Sequence, residues 1–210
     1  MLNGSGGTGT GSDPRTRVTR PGREPEALVE RPEIGFATRL RFLSMAELEA
    51  ARAARYGLSL SLALFVLEDR DALRAALEQD LERCDWEIGN RLAGGIRQGP
   101  DVLARFGLGE WALLLPHTGL DGAVAVAQRC LERVCGQDLR LAGTASPPLR
   151  LSVSAGVAAQ QPVRRYGVET VGGLLQAAER AQRQSSALGG GRAVGWAADS
   201  AAAAGATPVG

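Results

Sequence analysis

The chain has 210 residues, 44% of them apolar, and a formal net charge of +1 from 24 basic and 23 acidic side chains, which leaves room for one globular domain of about 150 to 170 residues and gives no electrostatic footprint for nucleic acid. Every basic side chain is Arg and none is Lys, which excludes a Walker-type phosphate loop and a Schiff-base lysine, since both need the ammonium itself. His117 is the only histidine and Cys84, Cys130 and Cys135 lack CxxC spacing, which excludes a histidine-based metal cluster and makes the cysteines small core residues on helices. No apolar run reaches the roughly 18 residues of a membrane span and the N-terminus is polar, so a cytoplasmic protein without membrane insertion is expected.

Residues 1–30 are rich in Gly, Thr, Pro and Arg and lack apolar periodicity, and are expected to be a flexible arm. A helix is predicted from Arg39 to Tyr56, with Phe42, Leu43, Met45, Leu48 and Ala51 near helical spacing and Gly57 as its stop. Leu58 to Leu67 is the most apolar run and reads as a strand buried on both faces. Glu68, Asp69 and Asp71 stand at its exit. Carboxylates there suit a two-metal nucleotidyl site, and equally the N-cap and first turn of a following helix. Two helices are predicted next, about Ala72 to Arg83 and Trp86 to Arg97.

The apolar runs Val102 to Phe106 and Trp111 to Leu115 flank Gly107-Leu108-Gly109 and read as a β-hairpin with a glycine turn. The turn places Glu110 at the mouth of the second strand, where a carboxylate can meet a metal. Trp111 reads as a core anchor, His117 after Pro116 as a turn or cap residue, and Arg97 and Arg105 either as solvated side chains or as phosphate contacts. Beyond it come a helix from Asp121 to Cys135, a loop over 136–148, a strand from Leu149 to Ala158 and a helix from Thr170 to Ala187. Gly189-Gly190-Gly191 stops that helix, Arg192 to Trp196 reads as a short edge strand, and the Ala/Gly-rich residues 197–210 are expected to fray.

Taken together, these motifs resemble the GGDEF (diguanylate cyclase) family. Gly107-Leu108-Gly109-Glu110-Trp111 stands where the family has Gly-Gly-Asp/Glu-Glu-Phe. Residues 31–39 resemble its Asp-x-Leu-Thr-Gly-Leu-x-Asn-Arg motif, keeping Gly35, an apolar Phe36 and Arg39. Leu151-Ser152-Val153-Ser154-Ala155-Gly156-Val157-Ala158 resembles Val-Thr-Val-Ser-x-Gly-Val-Ala. The resemblance covers residues 31–196 and implies an α/β domain like a nucleotidyl-cyclase palm, with a central mixed, mostly antiparallel sheet of about five strands flanked by helices.

Its chemistry is carried over less completely. The family's Asp-x-Asp falls on Val66 and Glu68 if aligned by strand length, or on Asp69 and Asp71 if aligned by acidic spacing. Leu108 replaces the second Gly, Gly109 removes one metal-directed carboxylate, and Ser186 replaces a phosphate-contacting Lys. The guanine-seating Asn-Asp and Gly-His pairs give way to Gln79-Asp80 and to residues 82–85, of which Asp85 alone matches. The inhibitory Arg-x-x-Asp falls on Gln98 and Asp101, with Arg97 one place out. The family reaction joins two GTP molecules across a dimer with two divalent ions. The losses imply a catalytically inactive, cofactor-free domain, a protein-interaction or scaffold module in signalling or assembly with a protein partner and room for a homodimer. The alternatives are a receptor that binds cyclic di-GMP or GTP without turnover through Arg97, Asp101, Arg105 and Glu110, with magnesium only then, and a weak or partner-completed cyclase using Asp69, Glu110 and a metal.

Overall fold

The eight residues Leu60–Leu67, strand β2, lie at the centre, all buried except half-buried Val66. Ala63, Phe65 and Leu67 face one apolar layer and Leu60, Leu62 and Leu64 the other, the two-residue alternation of a pleated strand. Each large side chain buried this way contributes about 1.5 to 3 kcal/mol. In this computed structural model the described residues are 36–68, 70–77, 80–96, 99–136, 138–140, 148–160 and 168–197. The expected arm at 1–30, the family-like motif up to Gly35 and nearly all of the tail at 197–210 lie outside them.

Around β2 the sheet runs β1 (Ala37–Thr38), β3 (Val102–Gly107), β4 (Glu110–Pro116), β2, β5 (Val153–Gln160), β6 (Ala193–Ala197). The four inner strands pair antiparallel, and β1 on β3 and β6 on β5 pair parallel at the two edges. The sheet is therefore mixed and mostly antiparallel, with six strands rather than about five; the addition is the two-residue β1.

Helices α1 (Arg39–Tyr56) and α5 (Val168–Ala187) cover the face of Leu60, Leu62 and Leu64, while α3 (Leu81–Ala93) and α4 (Leu120–Cys135) cover the other. The short α2 (Arg70–Leu77) adds Leu73 to the α3 and α4 side. Thr38 caps α1, its hydroxyl accepting from the Arg41 amide at 3.2 Å. Gly57 ends it in the left-handed region, φ 66, with its N–H on the Ala53 carbonyl. The buried residues of α1 are Phe42, Ala46, Ala50 and Ala53. Leu48, expected near the apolar face, is instead 53% exposed, because the stripe follows those four positions and Leu48 falls off it.

Three predicted boundaries move, one of them the end of the third helix, which lies at Ala93 rather than Arg97. The break between the second and third helices lies before Leu81, not at Cys84-Asp85, because Cys84, Ile88 and Leu92 keep helical spacing on the buried face of α3. The strand expected from Leu149 begins at Val153, Leu149 instead forming a two-way backbone bridge with Leu139 inside the expected 136–148 loop. The hairpin, the α4 helix and the last helix stand within two residues of expectation. Among the described residues no helix is long and apolar enough to cross a membrane.

Candidate functional site

The β3–β4 hairpin turns through Leu108 and Gly109, and Gly109 has φ 68, a conformation glycine adopts without strain. The turn is tied down from two sides. The Gly109 carbonyl accepts from the Leu67 amide at 2.8 Å, and the Gly109 N–H donates to Asp85 Oδ1, also at 2.8 Å, in a buried contact. Asp85 reaches the turn from α3, its side chain 2% exposed. Its other oxygen accepts from Arg105 Nε, and Arg105 Nη2 donates to Glu82 Oε2 at 2.8 Å. The structure thus corrects one expectation, since Asp85 lies within α3 rather than before it, and it pairs Arg105, a candidate nucleotide contact, with two carboxylates of α3.

Burial pushes the Asp85 carboxyl above the usual range, against the lowering effect of the Gly109 N–H and Arg105. The folded protein therefore takes up this proton at a higher pH than the unfolded chain does. The contribution is fully present below the unfolded value and is lost as pH rises through the folded one. Wild type should lose unfolding free energy relative to Asp85→Asn as pH is raised above about 4, measured by urea denaturation at each pH; a difference independent of pH would contradict it.

In the β2 ladder Val66 pairs with Glu110 on one side and Ser154 on the other, so the three side chains stand in a row on one face. The row ends beside a cleft of about 570 Å³ between the exit of β2 and α5, lined by Glu68, Arg70, Asp71, Gln182, Arg183 and Ser186. Both oxygens of Glu68 are engaged: Oε1 accepts from Ser154 Oγ at 2.5 Å and Oε2 from Ser186 Oγ at 2.9 Å. Gln182 Nε2 donates to Ser154 Oγ at 2.7 Å. Ser186, which the resemblance aligns with the family's lysine, thus serves the Glu68 carboxylate. Glu110 Oε1 accepts from Arg70 Nη1 at 2.5 Å.

Of the two alignments of the acidic pair, Val66 and Glu68 lie at the strand end beside this row, while Asp71 is an exposed residue in the first turn of α2. Asp69 lies outside the described residues. The divalent ions implied by the resemblance do not fit the donors found among the described residues. They take several hard oxygens at once, but the residue between Glu110 and Ser154 is a valine, position 109 has no side chain, and among the described residues no three His, Cys, Asp or Glu side chains converge on one point. Burial raises the Cys84 thiol to about 11 and the Cys130 thiol to about 12, so neither is a thiolate at neutral pH.

Of the other expected contacts, Arg97 and Gln98 lie outside the described residues and Asp101 is half-buried ahead of β3. Burial raises the Asp101 carboxyl and Arg129, on α4, opposes the rise. Arg129 was not foreseen. Its Nε donates to the Gly95 carbonyl at 2.7 Å and its buried Nη2 has no hydrogen-bond partner among the described residues. The sequence signal was slight, one Arg beside Cys130 on the apolar stripe of a helix.

No family model matches the sequence, and no curated protein does. Solved structures do. The chain is similar to the diguanylate cyclase SiaD of Pseudomonas aeruginosa, solved in complex with its activator SiaC, at 25% identity over 79% of this chain and 60% of that one, with a TM-score of 0.68; it thus spans less than two thirds of that protein's chain. It is similar to the GGDEF domain of DgcB from Caulobacter crescentus, solved with c-di-GMP, at 19% identity over 78% of this chain and 89% of that one, TM-score 0.67. The active GGEEF domain of a diguanylate cyclase from Vibrio cholerae matches at 14% identity over 77% and 97%, TM-score 0.66. The sheet order, the glycine-turn hairpin and these likenesses agree that the chain carries a GGDEF-like domain.

Proposed function

We propose that this GGDEF-like domain has no cyclase turnover and works as a protein-interaction module. The observation that carries the first half is internal pairing. Both oxygens of Glu68 are held by seryl hydroxyls and Glu110 Oε1 by Arg70, so an ion or a 3′-hydroxyl would have to compete with these internal partners. Losing one preorganised electrostatic contact costs about a hundredfold to a thousandfold in rate, and here Gly109, Val66 and Ser186 remove several.

The second half is supported by the likeness to a cyclase solved with a protein activator. A second reading, a receptor for cyclic di-GMP or GTP, is favoured by one observation, the Arg129 Nη2 near Asp101, buried without a hydrogen-bond partner among the described residues. Calorimetric titration with cyclic di-GMP, and separately with GTP and magnesium followed by product analysis, tests both. The expected result is no product and no heat with either; binding of cyclic di-GMP that is lost in Arg129→Ala would establish the receptor, and product would refute the proposal.

A further inference from the structure

Glu110 and the Leu108 carbonyl both present oxygen to one guanidinium. Arg70 Nη1 donates to Glu110 Oε1 at 2.5 Å and lies 3.5 Å from the Leu108 carbonyl oxygen. A carboxylate and a turn carbonyl are the hard donors a divalent ion would take. Among the described residues the adjoining positions add little to these two donors. Val66 stands opposite Glu110, the serines hold Glu68, and a Cβ at position 109 would lie 3.0 Å from both Arg70 Cδ and Leu67 Cβ. The aliphatic stem of Arg70 therefore fills the volume into which a side chain at 109 would grow.

We propose that Arg70 is the resident cation of this hairpin, its guanidinium taking on Glu110 and the Leu108 carbonyl the place a divalent ion would need, so that Glu110 is paired without a metal. The inference rests on the same internal pairing as the absence of turnover, and metal binding and product formation are separate readouts.

The test is titration of the full chain with Mn²⁺, following free Mn²⁺ by electron paramagnetic resonance. Arg70→Met keeps an unbranched apolar stem beside Gly109 and removes the guanidinium with its charge and donors; Arg70→Gln is a second variant should the first fail to fold, and circular dichroism reports folding of each. Wild type should show no stoichiometric site below about 1 mM. Removing a cation in contact with Glu110 should tighten Mn²⁺ about tenfold, and adding Glu110→Gln should abolish that gain. Tight Mn²⁺ binding by wild type that Glu110→Gln weakens, or folded Arg70 variants that titrate like wild type, would overturn the proposal. Product from GTP with no Mn²⁺ bound at Glu110 would refute the absence of turnover alone.

Discussion

Trp111→Ala is expected to lose about 3 to 5 kcal/mol of unfolding free energy, a large share of what a domain of this size has. The indole is 1% exposed in β4, stacks edge-on against Phe36 with ring centroids 4.8 Å apart, and fills the space left by Gly89, where a Cβ would lie 2.3 Å from its Cη2. Alanine would leave a cavity between α3 and the sheet that neither element can collapse to fill. Phenylalanine should cost far less, within about 1 kcal/mol, because it keeps an apolar ring and removes the Trp111 Nε1–H, which is buried without a partner among the described residues. Urea denaturation followed by circular dichroism separates the two variants. A loss below about 1 kcal/mol for alanine would mean the ring is not the anchor of the hairpin.

Gly156→Ala is expected to be nearly as severe, about 3 kcal/mol or more. The added Cβ would lie 2.0 Å from the Ala178 carbonyl oxygen and 2.1 Å from the Gln182 nitrogen. Those are backbone atoms of α5, so no side chain can swing away and the helix itself must lift from β5. Because α5 carries Gln182 and Ser186, lifting it also withdraws the donors from Ser154 and Glu68. Thermal unfolding should show the loss directly. A variant with wild-type stability would mean that α5 rides higher on the sheet than described.

What the sequence made legible was whatever local pattern encodes. Gly107-Leu108-Gly109 between two apolar runs announced the hairpin, and the uninterrupted run ending at Leu67 announced the central strand. The site was far less readable, because its partners are remote in the chain. Glu110 meets Arg70 across 40 positions and Glu68 meets Ser186 across 118; no periodicity links such residues. Asp85 was misplaced for a different reason. The predicted helix break at 84–85 put it ahead of a helix, whereas here it is a buried helical residue whose partners, Gly109 and Arg105, come from the hairpin. Arg70 went unnoticed because an arginine at the start of a helix reads as solvated.

The apolar run of β2 also raises the problem of alignment between strands. Sliding a half-polar strand by one residue would expose its hydrophobic set, and that penalty fixes the pairing. Nearly every side chain of β2 is apolar, so a slip would exchange one greasy face for another at little cost. The alignment must be set by the few positions that are not interchangeable. Ser61, fully buried, donates to the Thr118 carbonyl at 2.6 Å. Gly156, opposite Leu64, is the point at which α5 can touch the sheet. Ser154, opposite Val66, reaches Glu68. A strand chosen for greasiness on both sides is thus kept in step by two hydroxyls and a missing methyl group.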